Sequence, residues 1–189
     1  MQQTYRDLEI AYPKSWEKEY ADSRTVSVWH TEFPDLFPDP VGFSTRLGTL
    51  DLFPQHALMY LLRKQSGMMS VTWFSLADTS KNSKNRDRTL AAWNIMRKQM
   101  GKAPFDALRS ALLAADLSSF TGEPDLFCWH TETGEWFFAE AKRKDKLIAS
   151  QLKWFEVCRK TLGDSVDIRV YKLIPKEEAS PNKSVQSDK

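Results

Sequence analysis

Apolar and polar positions along this chain change their period several times, and each change marks an element. After Pro54, Leu58, Leu61, Leu62 and Gln65 recur at helical spacing until Gly67, which predicts a helix over 54–66 with proline in its first turn and glycine at its end. Ser70-Val71-Thr72-Trp73-Phe74-Ser75-Leu76 is rich in β-branched and aromatic residues and predicts a strand, followed by a polar loop over 77–88. Two helices are expected near 87–100 and 104–116, separated by Gly101 and Pro104. Beyond Phe120 the texture turns to short strands. Residues 125–130 and 135–142 read as a hairpin around Thr131-Glu132-Thr133-Gly134, in which Gly134 supplies the positive φ of the turn. A helix is predicted from about Asp145 to Leu162, stopped at Gly163, with Leu147, Gln151, Trp154, Phe155, Cys158 and Leu162 on one inward stripe. Residues 166–173 make a last strand, and no internal repeat is present.

The two ends break this pattern. Residues 1–50 are acidic and dense in proline and aromatics. Prolines 34, 38 and 40 each remove a backbone donor and push the preceding residue toward extended geometry, so an irregular N-terminal extension is expected there. Residues 176–189 are polar and read as a disordered tail. Between them, 51–175 forms the main body.

A length of 189 residues with 41% hydrophobic positions supports one domain and is too short for two full-sized ones. No run of about 18 apolar residues occurs, and residues 1–30 lack a basic start leading into an apolar stretch, so a soluble, cytoplasmic protein is expected, with no membrane partner. Cys128 and Cys158 and the scattered His30, His56 and His130 lack the spacing of a zinc site or a disulfide framework. The net charge of +2 hides an uneven distribution. Residues 1–53 hold nine acids against five bases, 81–102 seven bases against one acid, and 139–160 seven bases against three acids. Two basic blocks meeting on one surface would attract a polyanion, although solvated faces produce the same runs.

Chemistry concentrates on the second hairpin strand. Side chains alternate there, so Phe138, Glu140 and Lys142 share one face and Ala139 and Ala141 the other. Asp125, directly after Pro124, is brought to the same end of the sheet. Two converging carboxylates are hard oxygen donors suited to Mg²⁺ or Mn²⁺, and a nearby lysine can hold an attacking water or stabilise negative charge. A surface ion pair on an edge strand, worth ~0–1 kcal/mol, is the plainer account of Glu140 and Lys142. Gln151 is the strongly polar member of its stripe. A buried amide needs partners, so it either bonds a group at the sheet end or reaches water at the edge of the face.

Taken together, Gly122-x-Pro124-Asp125-Leu126, Glu140-Ala141-Lys142, Asp145-Lys146-Leu147 and Gln151-x-x-Trp154, in this order over about residues 120–173, resemble the VRR-NUC family of the PD-(D/E)XK nuclease superfamily. Such domains occur at the end of Fanconi-associated nucleases and as stand-alone phage and bacterial proteins. The resemblance implies an α/β, restriction-endonuclease-like core, a mixed β-sheet flanked by helices, across 51–175. It implies Mg²⁺ or Mn²⁺ held by Asp125, Glu140 and the Ala141 carbonyl, with Lys142 as the catalytic lysine and Gln151 supporting the site. Arg143, Lys144 and Lys146 would then grip phosphates beside the scissile one. Lys81, Lys84, Arg86 and Arg88 offer a second contact or a solvated loop. Trp129, Trp136 and Trp154 fit core packing better than base stacking.

The activity implied is metal-dependent hydrolysis of duplex or branched DNA, by endonuclease or exonuclease action. It would serve repair and recombination, with a repair factor as partner, or a DNase toxin delivered into a target cell, with an immunity protein as partner. A homodimer is compatible with either role. The alternative is a nuclease-fold module that binds DNA or protein with weak catalysis or none. One departure motivates it: members usually carry an upstream acid, often a Glu on or just after the first core helix, where this chain offers Gln55. Asp78, Asp51 and the acids of the N-terminal segment are the substitutes in reach, which leaves open a one-metal site, another ligand source or reduced activity.

Overall fold

Within residues 4–22, 24–36, 52–72, 74–77, 86–117 and 122–177, which the computed structural model describes, five strands and six helices follow one another. They are β1 (Arg6–Pro13), α1 (Ser15–Ala21), α2 (Arg24–Glu32), α3 (Phe53–Ser66), β2 (Met69–Val71), α4 (Arg86–Met100), α5 (Lys102–Ala114), β3 (Leu126–Trp129), β4 (Trp136–Lys142), α6 (Ala149–Leu162) and β5 (Ile168–Lys176). The strands form one open mixed sheet in the order β1-β5-β4-β3-β2. β3 is antiparallel to β2 and β4, whereas β5 is parallel to β4 and β1. The hairpin leaves β3 and β4 antiparallel, and the crossover through α6 is long enough to return β5 parallel to β4.

Alternation along the inner strands divides the core into two layers. Leu126, Cys128, Phe137, Ala139, Ala141, Tyr171 and Leu173 point to the side covered by α1, α2 and α3. Phe127, Trp129, Phe138, Ile168 and Val170 point to the side of α4, α5 and α6. This is an α/β architecture with helices on both faces, so β3 and β4 are buried along nearly their whole length, and Glu140 and Lys142 are the charged residues that β4 carries into that burial. Trp129 and Trp154 are buried and Trp136 half-buried in the α6-side core, where Trp154 meets Phe138 edge to face at 4.9 Å.

Residues 6–32 correct the expectation of an irregular N-terminal extension. β1 lies parallel to β5 from Arg6↔Arg169 to Pro13↔Lys176, and Ile10 and Tyr12 face the core. Helices α1 and α2 contribute Tyr20, Val26 and Trp29 to the same layer, with Trp29 stacked on Tyr60 of α3 at 5.0 Å. Packing against α3 stabilises these short helices, whose own propensity is modest. The segment therefore belongs to the sheet and its core. Residues 37–51, including Pro38, Pro40 and Asp51, lie outside the described residues.

Other boundaries shift for local reasons. β2 covers only Met69–Val71, because it pairs with the four-residue β3, and Phe74, Leu76 and Ala77 leave the sheet to enter the α6-side core. Helix α6 begins at Ala149 rather than near Asp145, since Asp145 is engaged by Lys142. β5 runs on to Lys176, which the expected tail had included, and residues 178–189 are outside the description. No helix among the described residues is long and apolar enough to cross a membrane.

Candidate active site

The pairing of β3 with β4 stops at Leu126↔Ala139, yet β4 runs on to Lys142. Asp125 fills the place that a longer β3 would have taken. Its Oδ2 accepts the Ala141 N–H at 2.9 Å, and its own N–H donates to Glu140 Oε2 at 3.3 Å. N–H and C=O of one strand residue leave the chain on the same side, so the Ala141 carbonyl also faces the gap beside Asp125. Gly122 makes this approach feasible. It has φ +104°, and a Cβ there would lie 2.6 Å from the Ser150 carbonyl oxygen in the first turn of α6.

Glu140 is 2% exposed and heavily bonded. Its Oε1 accepts from Gln151 Nε2 at 2.5 Å and pairs with Lys142 Nζ at 2.9 Å. Gln151 Oε1 in turn accepts the Ile148 N–H at 3.1 Å, so one side chain caps its own helix and anchors the carboxylate. Lys142 Nζ also reaches Asp145 Oδ2 at 2.8 Å. A carboxylate offers about four acceptor positions. Donors occupy both positions on Glu140 Oε1 and one on Oε2, which leaves one lone pair there beside the Asp125 carboxylate.

Burial holds Asp125 above the usual carboxylate range, and the backbone bond from Ala141 and the Lys142 charge, which both act to lower it, only partly offset that rise. Glu140 is raised further, by burial first and by the Asp125 charge second. Lys142 is lowered by burial alone, but its bonds to Asp145 and Glu140 outweigh that and raise it, so the ammonium persists.

These groups open onto a cleft of about 470 Å³. Pro54 and Gln55 of α3 form one wall, and Lys144 and Asp145 lie along the other side. The site thus sits at the end of β4, between the first turns of α3 and α6. Asp125, Glu140, Lys142 and Gln151 are brought together as expected, with the Ala141 main chain among them. Arg143 lines the cleft, but its guanidinium pairs with Glu17 Oε2 of α1 at 2.9 Å, and Glu17 also accepts from the Tyr12 hydroxyl. Lys144 is exposed at the cleft; Lys146 is exposed and does not line it. Asp78, Lys81 and Lys84, and the side chains of Arg86 and Arg88, fall outside the described residues.

Sequence reasoning missed Glu17 and Tyr12, because no local spacing links residues 12–17 to 143. It also missed the grip of Asp145 on Lys142, for which the i,i+3 spacing was a visible signal. Among the described residues no group of three or more His, Cys, Asp or Glu is placed to hold a metal. The donors present are two carboxylates and a backbone carbonyl, all hard oxygens of the kind a small divalent cation prefers. A scan against protein-family models gives no match to this chain, and a search of curated proteins gives no similar sequence.

Proposed function

We propose that the chain is a divalent-metal-dependent nuclease of the VRR-NUC type, within the PD-(D/E)XK superfamily, that hydrolyses DNA phosphodiesters in the cleft between α3 and α6. The observation that carries this reading is the convergence of Asp125, Glu140 and Lys142 on one end of β4, with Gln151 donating to Glu140. Asp125 Oδ1, the open lone pair of Glu140 Oε2 and the Ala141 carbonyl would hold Mg²⁺ or Mn²⁺. When bound, such an ion lowers the pKa of water and offsets charge on the phosphate.

The protein's own groups do the positioning. Lys142 is fixed by Glu140 and Asp145, so its ammonium stands at the cleft, where it orients the attacking water and stabilises charge developing on phosphate oxygen. Gln151 keeps Glu140 in one rotamer. Lys144 supplies an exposed cation for a neighbouring phosphate, a contact that positions a strand without reading its sequence.

The test is incubation of the protein with plasmid and with branched DNA, in Mg²⁺ or Mn²⁺, beside Asp125→Ala and Lys142→Ala. Metal-dependent cleavage reduced at least about 10²-fold in both variants is expected. Cleavage undiminished in both would overturn the site.

Among the described residues no third acid is placed with Asp125 and Glu140 to hold a metal, since Asp145 at the cleft is paired with Lys142, and this favours one second reading, a module that keeps the fold and binds DNA or a protein without turnover. Salt-sensitive DNA binding with no Mn²⁺ uptake in calorimetry would select it over the enzyme.

A further inference from the structure

Two glutamines stand at the third position of the two helices that open on the cleft, and only one of them is fully engaged. Gln151 follows Ile148, Ala149 and Ser150 at the start of α6, and both ends of its amide are bonded. Gln55 follows Leu52, Phe53 and Pro54 at the start of α3 and lines the cleft from the opposite wall. It is only 8% exposed, and its Nε2 is buried with no acceptor among the described residues. Leaving a buried amide donor unmatched is costly, on a scale that most native structures avoid. A group tolerated in that condition at a cleft wall is a candidate to be matched by what enters the cleft.

The unmatched group is a donor, so the missing partner is an oxygen acceptor; a cation offers none. Two further features favour an anionic acceptor, and a third lets the amide reach it. The α3 N-terminus has no side-chain cap, so the positive end of the helix dipole lies at the turn whose Pro54 and Gln55 line the cleft. Across the cleft stand the Lys142 ammonium and the exposed Lys144. The terminal torsion of a glutamine is soft, which lets the amino group swing to an oxygen arriving in the cleft.

We infer that Gln55 and the first turn of α3 form a phosphate-oxygen subsite, in which the amide donates to a non-bridging oxygen of the DNA strand held against Asp125 and Glu140. The inference rests on the nuclease reading of the cleft and names how its substrate is gripped. It gives residue 55 a role in substrate binding and none in holding the ion. A neutral donor is required there, because a carboxylate would repel the phosphate it faces.

The test compares wild type, Gln55→Leu and Gln55→Glu by fluorescence anisotropy with a short labelled DNA duplex in Ca²⁺, a gel confirming that the duplex stays intact. Mn²⁺ uptake by each protein without DNA is followed by electron paramagnetic resonance. Duplex affinity is expected to fall about tenfold in Gln55→Leu and further in Gln55→Glu, with Mn²⁺ affinity unchanged in Gln55→Leu. Because Gln55→Leu removes an unmatched buried donor, its melting temperature holds or rises, which separates lost binding from a damaged fold. Tighter duplex binding by Gln55→Glu, or Mn²⁺ lost in Gln55→Leu, would make residue 55 an ion ligand and overturn the assignment. Equal duplex affinity in all three proteins overturns it as well while the nuclease reading stands. A wild-type chain that takes up neither Mn²⁺ nor duplex overturns both.

Discussion

Gln151 donates to Glu140 Oε1 at 2.5 Å from the first turn of α6, and in the same conformation it accepts the Ile148 N–H at 3.1 Å. The helix start and the carboxylate are therefore set by one amide. Gln151→Leu removes both bonds at once. We expect it to lower stability by about 1–2 kcal/mol through the lost cap and the under-bonded Glu140. Mn²⁺ affinity should fall about 10–100-fold, as when an orienting partner of a ligand is removed. Denaturant titration and calorimetry measure the two losses, and an unchanged Mn²⁺ affinity would show that Glu140 is positioned without Gln151.

Asp125 links stability to pH in a definite direction. Burial raises its carboxyl to about 6 in the folded chain, against about 3.8 unfolded, so the folded state holds the proton longer. Its favourable contribution is complete below the unfolded value and is lost as pH rises through about 6. Asp125→Asn keeps an acceptor for the Ala141 N–H and cannot ionise. Relative to wild type without metal, it should be equally stable near pH 4 and more stable by about 1–2 kcal/mol at pH 8. Equal melting temperatures at pH 8 would count against the buried charge.

His56 carries the opposite dependence. Its Nδ1 lies 2.7 Å from the Tyr20 hydroxyl, and burial lowers its pKa to about 3 from the usual 6.5. Below pH 6.5 the unfolded chain takes up a proton that the folded chain refuses. Stability assigned to this group is therefore present above 6.5 and falls by about 1.4 kcal/mol per pH unit down to about 3. Since Asp125 and Glu140 slope the other way, the quantity to measure is the difference between wild type and His56→Gln between pH 7 and 5. A difference that does not change with pH would refute the neutral buried imidazole.

The N-terminal elements predict the fate of a truncation. Tyr12, Tyr20 and Trp29 are all 1% exposed or less, and β1 covers the edge of β5 from Arg169 to Lys176. Loss of a buried tryptophan alone removes about 3–5 kcal/mol, comparable with the whole stability of many domains. Residues 37–189 expressed alone should lack cooperative unfolding by circular dichroism and expose apolar surface to dye. A folded, monomeric 37–189 fragment would mean that β1, α1 and α2 are dispensable.

What could be read from the sequence follows how local the deciding contacts are. The hairpin at Gly134, the period-two faces of β4 and the inward stripe of α6 are set by neighbours within a few residues, so Glu140 and Lys142 could be put on one face and Gln151 on the inward side of its helix, while the family resemblance alone joined Gln151 to them. Asp125 was legible for the same reason, since the turn fixes its distance along the ribbon. β1 was not legible: its partner begins at Arg169, and Arg6 to Pro13 mixes charges with apolar residues as an edge strand does. The start of α6 was set four residues early because Asp145 resembles a helix-opening acid, while its carboxylate is taken by Lys142. Gln55 was visible as a missing acid, but that its amide lacks an acceptor is a property of packing.

The parallel pairing of β4 with β5 also bears on synthesis of the protein. Lys142 is in register with Lys172, so β4 gains its outer neighbour only when residues 168–176 have left the ribosome. A nascent chain that carries Asp125, Glu140, Lys142 and Gln151 but ends before residue 168 would still lack the strand that clamps β4. The end of β4 that carries the cleft is therefore braced on both sides only once β5 has been made.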